Sequence, residues 1–381
     1  MTILFVTHYA GFYGANKSLY TLMLLLRERY DVCPLVLLPS DGPMCEQLQK
    51  ANIPYTIRHY YWWVNYNHGL FQWLLNKRKQ IVNYFNLGKL CQLFQNENLD
   101  LIYTNSVCVN VGLLMAERLG LPHIWQARES LSQFSLSLSL SLVLSRKVWS
   151  LPANKCNILI SDYMMDYYRP YMPEDRMVRI YNGVSLPKGV QRVNPNIIDG
   201  KLKVASIGII GEQKNQMELL KAQALLKERG IEIETYFYGT PKQEYLLLMQ
   251  QFIRAHHLKD QTHIIGHTDD VFSALQSMNI GVVTARDEAF GRVTIEFMLM
   301  HMPVVVSNSG ANPELVENGK TGNVYELGNV NQLAEIINQY VLHPNLLQTQ
   351  GEAAAFVAKR DFSAEHNAEL IYQQILNAIN S

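Results

Sequence analysis

The chain has 381 residues, in which 33 Lys and Arg balance 33 Asp and Glu, so the formal charge at pH 7 is zero. Apolar residues make up 48% and charged residues 17%, which excludes a mainly disordered chain. The length predicts two domains. The balanced charge gives no sign of the clustered basic surface that nucleic acid partners require.

Five widely spaced cysteines, with no Cys-x-x-Cys pair, predict neither a zinc site nor a disulfide framework. The chain opens on the strand-like run Thr2–Val6 with no basic leader before it. No uninterrupted apolar stretch reaches about 18 residues. We therefore expect a cytoplasmic protein without a transmembrane helix.

Short β-branched or apolar runs alternate with longer stretches of helical period, which is typical of βαβ units and parallel sheets. In the first half, strands are predicted at Ile3–Val6, Cys33–Leu38, Leu101–Tyr103, His123–Trp125, Ile158–Ile160 and Val178–Ile180. In the second half they are predicted at Val204–Ile207, Thr235–Tyr238, His263–Ile265, Ile280–Val283 and Val304–Val306. The fold class predicted is α/β, with one parallel sheet in each half.

A segment rich in Pro, Asn and Gly, Ser185–Gly200, lacks apolar periodicity and is predicted to be a linker. The first domain is then 1–184 and the second 201–355, and the C-terminal helix of 356–381 is expected to cross back to the first domain. Within the first domain, Ser130–Ser145 alternates Ser and Leu, which locally favours a strand. Because a helix is due before the strand at Ile158, we predict a helix there.

The most informative stretch runs from Gly281 to Met300, where a buried strand leads through a short loop into a helix. Amides at the start of that helix, at Phe290, Gly291, Arg292 and Val293, can bind a diphosphate. Glu288 at the loop tip would then reach a sugar on the diphosphate. Glu296 lies on an apolar helix, where a carboxylate needs a partner such as a ribose hydroxyl pair. The alternatives are that Glu288 complements the helix dipole and that Glu296 occupies an exposed face.

Two other strand-loop-helix segments carry candidate ligand-binding residues. Lys214 follows Gly208 and stands just before a helix, where a cation opposes the dipole unless an anion lies between them. The alternative is a solvated surface lysine. Gly14 and Ala15 open the first helix, where small residues let a ligand approach the backbone. The G-x-G-x-x-G spacing of a dinucleotide site is absent.

Taken together, these segments resemble the family-4 retaining glycosyltransferases of the GT-B fold over nearly the whole chain. The family signature, E-x-F-G-x-x-x-x-E, is matched in full by Glu288–Glu296. Met302–Val306 and Pro313–Gly322 look like the family's G-x-P-V-V and E-I-V-x-x-G-x-x-G segments. Ile180–Val184 is similar to the turn that leads into its interdomain linker.

The resemblance implies two facing Rossmann-like domains with an interdomain crevice. It implies transfer of a sugar, with retention, from a nucleotide-sugar donor to a saccharide or lipid-linked acceptor, in the synthesis of bacterial surface polysaccharide. Glu288 would contact sugar hydroxyls, Lys214 the diphosphate and Glu296 the ribose, while Thr268 would lie near the base. Glu288 and Lys214 are the predicted catalytic residues. No D-x-D motif is present, so neither a metal nor another cofactor is expected.

The chain departs from the family pattern at two places. Ile209 stands where the family usually has Arg after the glycine, and Gln126 stands in a loop where the family often has His. Arg128 could supply charge there, so Gln126 and Arg128 are the candidate acceptor-side residues. A non-catalytic sugar-nucleotide-binding scaffold, or a sugar-nucleotide epimerase or phosphorylase on a related fold, remains the alternative.

The aromatic segment His59–Trp73 is followed by the basic triplet Lys77–Lys79. Tyr and Trp are favoured at membrane interfaces, and basic residues attract anionic lipid. One hypothesis is that this segment makes peripheral contact with the inner face of the membrane, through Trp62 and Trp63. The other is that the aromatic side chains fill the core and the triplet is solvated.

Overall fold

The computed structural model describes residues 1–64, 70–130, 147–187, 189–190, 197, 200–268 and 270–381. The chain divides into two compact units. The first consists of Met1–Gly183 together with Ala364–Ser381, and the second of Val184–Ser363. Most of the predicted linker and nearly all of the Ser-Leu segment lie outside the described residues.

All thirteen strands of the described chain lie in two parallel sheets. Those of the first unit are β1 (Thr2–Thr7), β2 (Cys33–Leu38), β3 (Tyr55–Ile57), β4 (Leu101–Asn105), β5 (His123–Ala127), β6 (Asn154–Leu159) and β7 (Met177–Arg179). Those of the second unit are β8 (Leu202–Ile207), β9 (Ile233–Tyr238), β10 (Thr262–Gly266), β11 (Ile280–Val283), β12 (Val304–Ser307) and β13 (Gly322–Tyr325).

Among the residues that the structure describes, helices alternate with the strands along the chain. The first five are α1 (Gly14–Tyr30), α2 (Pro43–Lys50), α3 (Leu70–Gln92), α4 (Val111–Leu119) and α5 (Asp162–Tyr168), and a 3₁₀ turn follows at Glu174–Arg176. The remaining eight are α6 (Gln216–Glu228), α7 (Gln243–Ala255), α8 (Val271–Leu275), α9 (Arg292–Leu299), α10 (Asn312–Leu315), α11 (Val330–Leu342), α12 (Asn345–Asp361) and α13 (Ala364–Ile379).

The strand orders are β3-β2-β1-β4-β5-β6-β7 and β10-β9-β8-β11-β12-β13. Both are the doubly wound order in which the chain starts in the middle of the sheet and builds outward in both directions. The direction reverses between β1 and β4 in the first unit and between β8 and β11 in the second. Ligands of such sheets bind at the carboxyl ends of the strands beside this reversal.

Each unit has its own apolar core, because strands covered on both faces must be apolar throughout. In the first unit, Ile3 and Phe5 of β1 are fully buried, and Ile371 and Ile375 of α13 pack into the same core. Tyr372 of α13 stacks on Tyr30 of α1, with ring centroids 4.0 Å apart. The C-terminal helix is therefore part of the first unit. The core of the second unit is formed by buried residues that include Val204, Phe237, Ile280, Val282 and Val305.

All eleven predicted strands are present, and two further strands were missed. β3 has three residues and β13 has four. The β13 sequence, Gly-Asn-Val-Tyr, opens with two residues that are rare in strands. Each missed strand lies at an edge of its sheet and pairs with one neighbour only. Apolar patterning is weakest in such edge strands.

Candidate functional site

The candidate donor site of the second unit lies at the point where its sheet reverses direction. β8 and β11 are neighbours there, with Val204 paired to Ile280 and Ala205 to Gly281. The loop after β8 carries Lys214, and the loop after β11 carries Glu288. The topology therefore brings together two predicted residues that are 74 positions apart in sequence.

Lys214 and Glu288 form an ion pair through Nζ and Oε2. Their side chains are 28% and 17% exposed, so the pair is largely shielded but still open to solvent on one side. Two hydrogen bonds hold the loops in register: Thr284 Oγ1 donates to the Lys214 carbonyl at 2.7 Å, and the Arg286 amide donates to the Gln213 carbonyl at 2.8 Å. Both loops are thus fixed relative to each other by the backbone as well as by the ion pair.

The backbone of Glu288 is braced by the loop that follows β12. The Ala311 amide donates to the Glu288 carbonyl at 2.7 Å. Gly310 has φ +61°, and a Cβ placed on it would lie 2.3 Å from the Glu288 carbonyl oxygen. Only glycine allows so close a backbone approach. The position of Glu288 therefore depends on a residue outside the signature that contains it.

Helix α9 begins at this site because two glycines permit its placement. Gly291 is the N-cap, with φ +94°, a conformation that L side chains rarely adopt. Gly281 lets the helix approach β11, since a Cβ there would lie 2.2 Å from the Phe297 ring. Phe290 is buried and Val293 partly buried beside the first turn. The positive end of the α9 dipole thus lies in the chain segment directly after the Glu288 loop.

Glu296 has a protein partner, which the sequence analysis did not identify. Arg292 Nε donates to Glu296 Oε1 at 2.9 Å, one helical turn away. Glu296 is only 7% exposed, as its apolar neighbours predicted, so the exposed-face alternative is wrong. Because Arg292 already compensates the carboxylate, a ribose is not needed to explain its burial. Its role as a ribose ligand remains a prediction.

The loop with the departure at Ile209 and the predicted base-binding turn both lie in the second unit. A Cβ on Gly208 would stand at ordinary contact distance, 3.4 Å, from the Lys214 side chain, so the backbone conformation at φ +139°, and not crowding, favours glycine there. Ile209 is 61% exposed on the same loop. Thr268 follows β10, and its hydroxyl donates to the Asp270 carbonyl at 3.1 Å. This bond fixes the Thr268 hydroxyl, and contact of Thr268 with a base remains a prediction.

The first unit has its own point of strand reversal, where β1 and β4 are neighbours and Thr7 pairs with Asn105. Gly14 opens α1, and a Cβ there would meet no atom within 4 Å, so steric crowding does not require glycine at this position. Asn105 Nδ2 donates to the Ala15 carbonyl at 3.3 Å. Donor binding by Gly14 and Ala15 remains a prediction.

Gln126 and Arg128, the candidate acceptor-side residues, are both buried in the first unit. Arg128 donates to Asn105 Oδ1 at 2.5 Å, to Asn182 Oδ1 at 2.5 Å and to Gln126 Oε1 at 2.6 Å. These bonds fix the guanidinium among neutral side-chain oxygens, so its first role is structural. Direct contact of either residue with an acceptor remains a prediction that their burial makes less favourable.

Two residues beside this network, His8 and Glu129, were not predicted from the sequence as candidate site residues. His8 directly follows β1, and its Nε2 lies 3.6 Å from Oε1 of Glu129, which follows β5. Burial and, to a smaller extent, the Arg128 charge lower the pKa of His8 from 6.5 to about 3, against a backbone hydrogen bond at Asn105 that raises it. Burial raises the pKa of Glu129 to about 7. The available signal was that both residues closely follow predicted parallel strands, His8 after a strand at the reversal and Glu129 after the neighbour of the other strand there.

Trp62 and Trp63, which one hypothesis placed at a membrane, are bonded into the first unit. Trp62 Nε1 donates to the His8 carbonyl at 2.6 Å, and Trp63 Nε1 to the Val107 carbonyl at 2.5 Å. The Trp63 ring lies 5.8 Å from the Trp125 ring and 5.7 Å from the Trp149 ring. These contacts support the alternative that both tryptophans belong to the core.

Comparison with known proteins identifies a family match and several relatives of the chain. Residues 188–355 match the family described as Glycosyl transferases group 1. The capsular polysaccharide biosynthesis glycosyltransferase CapM of Staphylococcus aureus is 23% identical over 192 residues, which are 49% of this chain and 47% of CapM. The lipopolysaccharide core biosynthesis mannosyltransferase LpcC of Rhizobium leguminosarum is 25% identical over 46% of this chain and 50% of LpcC. The chain thus spans about half the length of these curated relatives.

The fold has a whole-length counterpart among solved structures. HepE of Anabaena in complex with UDP superimposes with a TM-score of 0.79, covering 99% of this chain and 100% of HepE at 22% identity. The same protein has been solved with UDP-glucose. The predicted fold class, two Rossmann-like α/β domains of the GT-B type, is confirmed by this likeness. The second unit therefore carries a region of the glycosyl transferases group 1 family, matched over residues 188–355.

Proposed function

We propose that this protein transfers a sugar from a nucleotide-sugar donor to a hydroxyl of a saccharide or lipid-linked acceptor. The observation that carries the proposal is the Lys214–Glu288 pair at the sheet reversal of the second unit, beside the start of α9. The relatives in capsule and lipopolysaccharide synthesis support surface polysaccharide as the product class. The UDP-glucose complex of HepE supports a uridine donor as the first to test.

In the proposed reaction, the bond between the anomeric carbon and the phosphate oxygen breaks, and its electron pair stays on the phosphate. The acceptor oxygen forms the new bond to the anomeric carbon on the same face, and its proton passes to the leaving phosphate. Lys214 and the positive end of α9 would stabilise the charge that develops on the phosphate. Glu288 would position the sugar through its hydroxyls. Retention of configuration follows from the same-face geometry.

On the acceptor side, we infer that Glu129 and His8 bind the hydroxyl that attacks, with Arg128 as a positioning residue. A carboxyl group whose pKa lies about 7 exchanges its proton readily near neutral pH, as acid and base groups do in active sites. Arg128 is bonded to three amide oxygens and holds the end of β5. Direct acceptor contact by Gln126 or Arg128 stays the alternative assignment.

The test uses the purified full chain and a panel of radiolabelled UDP-, GDP- and ADP-sugars, read out as donor hydrolysis and transfer. Lys214→Ala and Glu288→Ala should each lower turnover at saturating donor by about a hundredfold or more, because both act on the reacting phosphate and sugar. The matched control is the Lys201–Glu232 ion pair, at 2.9 Å beside the amino ends of β8 and β9. Lys201→Ala should keep wild-type turnover. Wild-type turnover in either site variant would remove that residue from the mechanism.

The exposed side chain of Ile209 supports a second candidate function, a non-catalytic sugar-nucleotide-binding scaffold. Ile209 exposes 61% of its surface at the place where the family usually supplies a cation, so the diphosphate loses one charged contact. A scaffold would bind a nucleotide-sugar with measurable heat in calorimetry but neither hydrolyse nor transfer it with any member of the panel. Turnover with one donor, lost in Lys214→Ala, would exclude the scaffold.

A further inference from the structure

Helix α3 presents an unusual face to solvent. Ile81 and Phe85 are 55% and 76% exposed, Leu74 is 52% exposed, and Tyr84 is 68% exposed. Positions 74, 81 and 85 follow the spacing i, i+7, i+11, so they form one stripe along the helix. The apolar stripe is therefore the centre of the exposed face.

Basic residues flank the stripe on both sides. Lys77 and Arg78 are exposed within the same turns as Leu74 and Ile81, and Lys89 is exposed beyond Phe85. Lys79 lies 5.8 Å from the centre of the Tyr61 ring. Residues 70–92 contain no Asp or Glu. The exposed face of α3 thus combines apolar side chains with positive charge alone.

The rotation of α3 about its axis is fixed by the contacts of its other face. Leu87 and Leu90 are buried, and Asn83 Nδ2 donates to the Tyr61 carbonyl at 2.8 Å while Asn83 Oδ1 accepts from the Tyr61 amide at 2.9 Å. Gln80 Nε2 donates to the Trp62 carbonyl at 3.0 Å. The helix cannot bury the stripe by rolling without breaking these bonds.

We infer that this face, Leu74, Lys77, Arg78, Ile81, Tyr84 and Phe85, docks the protein on an anionic lipid surface. An amphipathic helix of this composition lies in the interface, with its apolar side chains among the acyl chains and its cations at the headgroups. Tyr84 suits the boundary because its ring is apolar and its hydroxyl polar. The helix docks on the surface and does not cross it, since no helix among the described residues is long and apolar enough to span a bilayer.

A second copy of the chain fits this face less well. A two-fold interface would place the same patch opposite itself, bringing the cations of both copies together with no acidic residue from either α3 to compensate them. Charge complementarity therefore favours lipid.

The inference goes beyond the proposed function and is tested without donor or acceptor. Full-length protein is sedimented with vesicles of phosphatidylglycerol and phosphatidylcholine in equal amounts, and with pure phosphatidylcholine vesicles. We expect binding to the anionic vesicles only, weakened by salt. A cation near an anionic surface contributes about a fivefold gain in binding. Lys77→Gln with Arg78→Gln should therefore lower vesicle binding at least tenfold, and Ile81→Ser with Phe85→Ser should do the same.

The matched control is Leu247→Ser with Leu248→Ser on α7, which removes two side chains that are 48% and 53% exposed in the second unit. It should leave vesicle binding unchanged. Melting temperature should change little in all three double variants, because each replaces exposed side chains. Absence of wild-type binding to anionic vesicles would overturn the inference, as would equal loss in the control. A dimer in sedimentation equilibrium that Ile81→Ser with Phe85→Ser dissociates would assign the face to a second copy instead. Donor hydrolysis in solution, unchanged by the α3 variants, separates this outcome from failure of the proposed function.

Discussion

Replacing Gly310 by Ala should disable the candidate donor site, although no charged residue is substituted. A Cβ at this position would lie 2.3 Å from the Glu288 carbonyl oxygen and 2.4 Å from the Glu288 amide nitrogen. Ordinary contact distances are about 3.5 Å or more, so the Glu288 backbone must move by roughly 1 Å. A displacement of that size in a positioning group costs about a hundredfold in rate. We therefore expect kcat for donor hydrolysis to fall about a hundredfold.

A control is needed because Ala at positive φ is itself unfavourable. Gly310 has φ +61°, and the left-handed conformation costs a residue with a Cβ about 1 kcal/mol. Gly230, just after the end of α6, has φ +77°, but a Cβ there would meet no atom within 4 Å. Gly230→Ala should therefore show the conformational cost in melting temperature while keeping wild-type kcat. The comparison isolates the displacement of Glu288 from the strain.

The assay is donor hydrolysis at saturating substrate, with thermal unfolding followed by calorimetry to show that the second unit is folded. Wild-type kcat in folded Gly310→Ala would show that the position of Glu288 does not control the reaction. An equal loss of activity in Gly230→Ala would show that a general effect on stability explains both variants.

Three further predictions concern other groups. Activity should survive EDTA, because Lys214 and the start of α9 are placed to carry the charge that a metal would; loss restored by Mg²⁺ or Mn²⁺ would contradict this. Ile209→Arg should tighten binding of the nucleoside diphosphate severalfold at low salt, and calorimetry showing no change would place Ile209 away from the diphosphate. The third prediction is that the effect of Glu129→Gln on stability depends on pH. The pKa of Glu129 is raised from 4.5 to about 7. The contribution of this carboxyl group to the stability of the folded state is therefore complete below pH 4.5 and lost as pH rises through 7. The stability of Glu129→Gln relative to wild type should thus rise by at most about 3 kcal/mol between pH 4.5 and pH 8. Urea unfolding followed by tryptophan fluorescence can measure it, since all five tryptophans precede residue 150; an unchanged difference would refute the raised pKa.

The positions of the second-unit candidate residues could be predicted from sequence because their spacing is local. Glu288 and Gly291 lie within four residues of each other, and Lys214 stands in a loop that any β8-to-α6 connection must place at the carboxyl edge. The Arg292–Glu296 bond could also have been predicted, because i,i+4 pairs of opposite charge lie on one helix face. The brace from Gly310 could not, since nothing in local spacing shows that two loops approach within van der Waals distance.

The first-unit site was harder to predict because its residues acquire their properties from burial. Arg128 looks like a free cation in the sequence, yet its three acceptors come from β4, β5 and the turn at Asn182. Glu129 looks like an ordinary surface acid, yet burial raises its pKa from 4.5 to about 7. Such changes depend on how completely the sheet covers the group. Sequence periodicity indicates which face of a strand is apolar but not how deep the residue after that strand will lie.

The Lys214–Glu288 pair also constrains how a donor can be held. Each side chain neutralises the other within the chain, so the two loops present little net charge. A diphosphate that takes Lys214 as its counter-ion leaves the Glu288 carboxylate without its cation, at 17% exposure, where an unpaired charge is costly. Sugar hydroxyls can donate hydrogen bonds to that carboxylate, and a bare nucleoside diphosphate has none at that end. If the proposed function holds, we expect the pair to favour a donor that still carries its sugar over the nucleotide product. That is the direction of selectivity that a transferase needs to release product and bind the next donor.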